Sequence, residues 1–174
     1  MREMPEPPRI EDAPALVVKL LGQLLTVEEM LARSGLPKLK QEAQDEQLQQ
    51  AFAEHLEQTH GHVERVRAAF AELGADPSGQ EAKGLEGLTE EREATVSELA
   101  PALRDGFNAS AAMGAEHYEI ATYEAAIRLA EALGADTVGS LLRANLREEV
   151  AALEQLAGHA TRLAEQAAKQ PAMR

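Results

Sequence analysis

Three glutamates stand where amphipathic helices would normally carry apolar side chains. In "GAEHYEIATYEAAIRLAEALG", Ile120, Tyr123, Ile127 and Ala130 recur at helical spacing, and Glu116 falls on that stripe between Met113 and Ile120. Glu28 falls with Val17, Leu21, Leu24 and Leu31, and Glu149 sits among Leu142, Leu146, Leu153 and Leu156. Glu119 lies at the edge of its stripe, whereas Glu29 and Glu148 point aside. In "AFAEHLEQTHGHVERV" the literal Glu-x-x-His, Glu57 to His60, points away from the apolar face, and His55, Thr59 and His62 flank that face.

Buried carboxylates brought together repel, and a buried charge persists only when it is paired, neutralised or bound to a cation. No lysine or arginine is expected at the same level on these stripes. A pair of divalent metal ions is therefore the economical explanation, and carboxylates with few imidazoles suit iron or manganese better than copper. The expected ligands are Glu28, Glu116 and Glu149, one of them bridging, with Glu119 and His62 completing the shell. The second-helix ligand stays open between His62, His55 and the Glu57/His60 pair. The plainer alternative for each residue alone is a hydrogen-bonded or partly exposed side chain. His60, His117 and His159 are expected in solvent, and Tyr123 in the packed core.

Four long helices must position these groups. The first is expected from about Glu11, with Pro14 in its first turn, and Pro37 should kink or interrupt it before it resumes to about Ala43. Asp45 is expected to cap a second helix from Glu46 to Leu73, stopped by Gly74. A short helix, about Ala82 to Leu99, is closed by Pro101. The third long helix should run from Arg104 to Leu133. Gly134 ends it, and Asp136 caps a fourth from Thr137 to Lys169. Two hairpins and a short crossover helix suit an all-α four-helix bundle with one long connection. Counted from the two hairpin turns, Glu28 shares a level with His62, and Glu116 or Glu119 shares one with Glu149. Residues 1–10, rich in proline, are expected as a flexible tail, 11–169 as the bundle, and 170–174 as a C-terminal tail.

Composition narrows the function classes. A chain of 174 residues fits one domain with its own core. The absence of cysteine excludes disulfides and thiolate chemistry and fits a cytoplasmic location. A net charge of -13 argues against nucleic-acid binding. The longest apolar run, "APALVVKLLGQLL", is interrupted by Lys19 and too short for a membrane span.

The segments "AFAEHLEQTHGHVERV", "AEHYEIATYEAAIRLAEALG" and "LLRANLREEVAALEQLA" resemble the YciF-like family of ferritin-like stress proteins, and "KGLEGLTEE" matches its short crossover helix. The resemblance spans about Val27 to Gln166. It implies a ferritin-like bundle, often a homodimer, with a dimetal site whose glutamates fall on Glu28, on the Glu116 and Glu119 pair, and on Glu148 and Glu149. The tyrosine usual three residues before the first glutamate is Leu25 here, and Ala152 stands where a Glu-x-x-His on the fourth helix would place histidine. The resulting expectation is a stress-associated dimetal protein of oxidase or other redox type. The competing expectation is a non-catalytic, dimeric interaction or protective module without a functional metal site.

Overall fold

The structure is a computed structural model and describes residues 9–169. Most of the expected N-terminal tail (1–8) and the whole expected C-terminal tail (170–174) lie outside the described residues. Arg9, Ile10 and Glu11 precede the first helix. The described residues are all-α: α1 (Ala13–Met30), a π-helical turn (Leu31–Gly35), α2 (Leu36–Glu42), α3 (Glu46–Glu72), α4 (Lys83–Glu98), α5 (Pro101–Ala132) and α6 (Asp136–Ala168).

Local chemistry explains the boundaries. Asp12 caps α1 by accepting from the Ala15 N–H at 2.8 Å, and Asp45 caps α3 by accepting from Leu48 at 2.9 Å. Gly74 and Gly134 end α3 and α5 with φ of 63° and 71°, a conformation that costs glycine nothing. The N–H of Ala75 then returns to Phe70 O, and that of Ala135 to Ala130 O.

Three boundary expectations are corrected. Pro37 does not break the first helix. One π turn immediately before it, closed by Leu36 N–H to Leu31 O, absorbs the missing donor and the ring's bulk, so α1 continues into α2. Pro101 opens α5 rather than merely closing α4, because the first helical turn needs no N–H there. Asp136 is the first residue of α6, not its cap, and its side chain makes no capping bond.

α1 packs against α3 and α5, and α6 packs against α3 and α5, so the four long helices form a square. Two apolar clusters give their directions. One joins Val17 and Leu21 of α1 to Val66 and Phe70 late in α3, Tyr123 and Ile127 late in α5, and Val138 and Leu142 early in α6. The other joins Leu31 and Leu36 to Leu48 and Phe52 early in α3, Ala109 and Ala112 early in α5, and Leu156 late in α6. α1 therefore runs with α6 and against α3 and α5. The link from α3 to α5 must travel the length of the bundle, and α4, packed on α5, covers about 24 Å of it at 1.5 Å per residue. That link begins pressed onto α1: Gln80 donates to Gly22 O at 3.0 Å.

Candidate metal centre

Between the two apolar clusters every long helix changes to polar inward residues. α1 contributes Glu28, α3 His55, Thr59 and His62, α5 Glu116 and Glu119, and α6 Asn145 and Glu149; all are buried. Counting from the hairpin turns already placed Glu28 level with His62, and Glu116 or Glu119 level with Glu149; packing the two hairpins together brings both levels into one layer.

The layer resolves into two triads that share one carboxylate. Glu28, His62 and Glu149 each offer a ligand atom within 4.8 Å of the others, and so do His55, Glu116 and Glu149. Glu149 faces both: Oε1 lies 2.8 Å from His62 Nδ1, and Oε2 lies 3.5 Å from His55 Nε2. His55 Nε2 is also 3.2 Å from Glu116 Oε1. The two imidazole centroids are 6.1 Å apart, so each triad has its own ring.

Ion-pair distance is not hydrogen bonding here. The Nδ1 bond of His62 is made with Glu28 Oε2 at 3.2 Å, and neither Glu149 oxygen receives a directed donor. Glu119 Oε1 and Oε2, Glu116 Oε2 and His55 Nε2 are likewise buried without a hydrogen-bond partner. Buried polar atoms are normally satisfied, so this concentration of orphaned ligand atoms in one layer fits a cation-binding centre.

Burial and mutual repulsion shift the acids. Burial pushes Glu149 up to about 7 against the opposing pull of His62, with the Glu116 charge raising it further. Burial, then the charges of Glu149, Glu28 and Glu116, hold Glu119 well above the usual carboxylate range. Burial also raises Glu28, although the hydrogen bond from His62 opposes it. The histidines move the same way for a different reason. Burial would lower them, but the Glu149 and Glu28 carboxylates outweigh it and hold His62 at about 10, while Glu116 and Glu149 hold His55 at about 9. Without a cation, protons therefore bind where positive charge is wanted.

A second layer of contacts orients the first. Tyr123, buried, donates its hydroxyl to Glu28 Oε1 and accepts from Asn145 Nδ2 at 2.8 Å. Glu148 Oε2 lies 2.9 Å from His62 Nε2 and accepts from Arg65 at 2.5 Å. Arg65 also donates through Nε to Asn145.

The structure brings all five sequence-expected ligands, Glu28, His62, Glu116, Glu119 and Glu149, into this one layer. It adds His55 as the second imidazole, while Glu57 and His60 are exposed on the outer face of α3. Glu119 is fully buried rather than at a stripe edge, and Ile120 is only half-buried. Leu146 and Leu153 are half-buried too, because Asn145, Glu149 and Ala152 occupy the centre of the α6 face. His117 is exposed as expected; His159 is half-buried beside Arg162. An arginine does reach this level: Arg65 meets Glu148, although it touches none of Glu28, Glu116, Glu119 or Glu149 among the hydrogen bonds of the centre. Asn145 and Arg65 escaped the sequence reading. Asn145 carried a usable signal, one turn before Glu149 on the same face.

The family described as "Domain of unknown function (DUF892)" matches residues 16–169, nearly the whole chain and the whole of this centre. The chain belongs to the DUF892 family. Protein YciF of Escherichia coli (strain K12) is 38% identical over 144 residues, covering 82% of this chain and 84% of that protein. The crystal structure of the E. coli stress protein YciF superposes with a TM-score of 0.83 at 32% identity, covering 90% of this chain and 99% of that one. YcfI of Rhodopseudomonas palustris gives a TM-score of 0.82 at 34% identity, with 85% and 94% covered. The YciF-like resemblance read from the sequence thus holds across the bundle. No helix among the described residues is long and apolar enough to cross a membrane.

Proposed function

We propose that this DUF892 chain is a ferritin-like, carboxylate-bridged dimetal protein that holds two iron or manganese ions and serves in a stress response. The observation that carries the reading is Glu149, whose two orphaned oxygens face two separate histidine–glutamate pairs. Glu28 and His62 would hold one ion, His55 and Glu116 the other, with Glu149 shared and Glu119 offering two further oxygens. A metal pair in such a site supplies one-electron redox steps, as in ferrous oxidation or peroxide removal. The chain's own part is to exclude water with two flanking apolar clusters, and to hold protons on Glu149, His55 and His62 that leave as cations enter.

The stress assignment is supported by the similarity to the E. coli stress protein YciF. The same reading has the chain act in the cytoplasm as a homodimer, and a light-scattering mass of two chains tests the latter.

Elemental analysis tests the centre. Untagged protein purified without chelator should carry about two iron or manganese ions per chain, and a Glu116→Ala, Glu149→Ala double variant should carry none. Metal-free wild type, even after anaerobic ferrous loading, would overturn the reading. The remaining account would then be a dimeric protective module whose buried carboxylates are balanced only by the protonated His55 and His62.

A further inference from the structure

The two triads are not supported alike. On one side six side chains close a hydrogen-bonded ring through all four long helices. Arg65 donates to Glu148, and Glu148 meets His62 Nε2. His62 Nδ1 meets Glu28, whose other oxygen accepts from Tyr123. The Tyr123 hydroxyl accepts from Asn145, and Asn145 accepts from Arg65. Both ring nitrogens of His62 and both oxygens of Glu28 are thereby engaged. A second Asn145 bond, Nδ2 to His62 O at 3.2 Å, ties the ring to the α3 backbone.

The other side has almost none of this. His55 Nδ1 lies 3.3 Å from Gln58 Oε1, an exposed residue one turn along the same helix. His55 Nε2 and Glu116 Oε2 have no hydrogen-bond partner. His55 Nε2 approaches Glu116 Oε1 at 3.2 Å, but no side chain from outside the triad reaches either residue from a second helix with a hydrogen bond.

We propose that the two positions are unequal, and that the Glu28–His62–Glu149 position takes a divalent cation before, and more tightly than, the His55–Glu116–Glu149 position. This rests on the dimetal reading and adds an order to it. Ligands already held in place lose less conformational freedom on binding, and outer partners of a ligating histidine set its orientation. Glu148 and Arg65 are then positioning residues, which act on the cation only through His62. The His55 side completes its geometry upon filling, with Glu149 already anchored by the first ion.

Calorimetric titration with cobalt(II) alone tests this, with no activity needed. Wild type should show two steps. His55→Ala should remove the weaker step and leave the tighter one at its wild-type affinity. Glu148→Ala should weaken the tighter step about 10–100-fold, the usual effect of losing an outer partner, and Glu148→Gln, which keeps an acceptor for Nε2, should restore part of it. Arg65→Gln, at a half-buried position, serves as the second variant should Glu148→Ala fail to fold, and should weaken the same step. Two indistinguishable steps, loss of the tighter step in His55→Ala, or an unchanged tighter step in both Glu148→Ala and Arg65→Gln would overturn the order while sparing the dimetal reading. No cobalt uptake by wild type would overturn both.

Discussion

Glu149 of α6 stands between two histidines of α3, with Oε1 2.8 Å from His62 and Oε2 3.5 Å from His55, and receives a directed hydrogen bond from neither. His55 and His62 are seven residues apart, two helical turns, so both rings reach the same side of α3 at different heights. A carboxylate midway along that face is the natural shared group. The chain accepts a costly cluster of buried acids at its centre, and the cost should be measurable.

Glu119 offers the cleanest measure. Both oxygens are buried without donors, and burial together with its neighbours' charges holds its carboxyl well above the usual carboxylate range. In metal-free protein, Glu119→Leu should therefore raise the unfolding free energy by about 1–3 kcal/mol, the cost of an unsatisfied buried group. On the proposed dimetal reading, manganese should stabilise wild type, and stabilise the variant less. Urea denaturation with and without manganese reads both effects, and a destabilised metal-free variant would contradict the account.

Stability of the metal-free protein should fall as pH rises from 5 to 9. Glu149 is raised to about 7, so its contribution is complete below the ordinary carboxylate value and is lost as pH passes through 7. His55 and His62 are raised to about 9 and 10, so theirs is complete below 6.5 and lost as pH climbs through those values. All three slopes have one sign. On the proposed dimetal reading cations displace the same protons, so metal affinity should rise with pH over 6 to 8, and binding should release at least about one proton per ion. Calorimetry in buffers of different ionisation enthalpy counts them; a pH-independent affinity would refute this.

Asp45 should behave oppositely. It caps α3 and accepts two hydrogen bonds from Arg162 near the end of α6, which together hold it at about 2. Asp45→Ala should cost about 1–2 kcal/mol at pH 7, the cap dominating. The ion pair is partly exposed and adds little. A lowered carboxyl contributes fully above its unfolded value of 3.8, and that contribution is lost as pH falls through 2. The gap between wild type and variant should therefore close in strong acid. A constant gap down to pH 2 would mean that the charge is irrelevant.

Two glycines give opposite expectations for the same substitution. A Cβ on Gly22 would lie 2.6 Å from Ser78 O and from Gln80 Cγ, so the crossover would have to move off α1. Alanine there gains about 1 kcal/mol in helix propensity but should lose more to the clash, for a net loss of about 1–2 kcal/mol. Gly87, exposed within α4, has nothing within 4 Å of its Cβ, so Gly87→Ala should stabilise by up to about 1 kcal/mol. Thermal midpoints moving in the same direction would show that the crossover is not seated as described.

The amino-acid sequence by itself determined the helices, their caps at Asp45 and their stops at Gly74 and Gly134, because these depend on neighbours within a few residues. It also determined that Glu28, Glu116 and Glu149 face inward, since helical period is local and each lies near the centre of an apolar stripe. What lies at a stripe's edge was decided only by tertiary structure. α5 is covered by α1, α4 and α6 together, which widens its buried arc enough to take in Glu119 and leaves Ile120 half-exposed. The choice among His55, His62 and His60 likewise awaited the position of α6, whose Glu149 reaches the first two and not the third. The ring from Arg65 through Glu28 back to Asn145 joins four helices far apart in the chain, and no local periodicity encodes a contact across 80 or more residues. Pro37 marks the same boundary: its missing N–H is written in the sequence, but absorbing it in a π turn rather than a break depends on Leu31, Leu36 and Leu39 packing in one continuous apolar cluster.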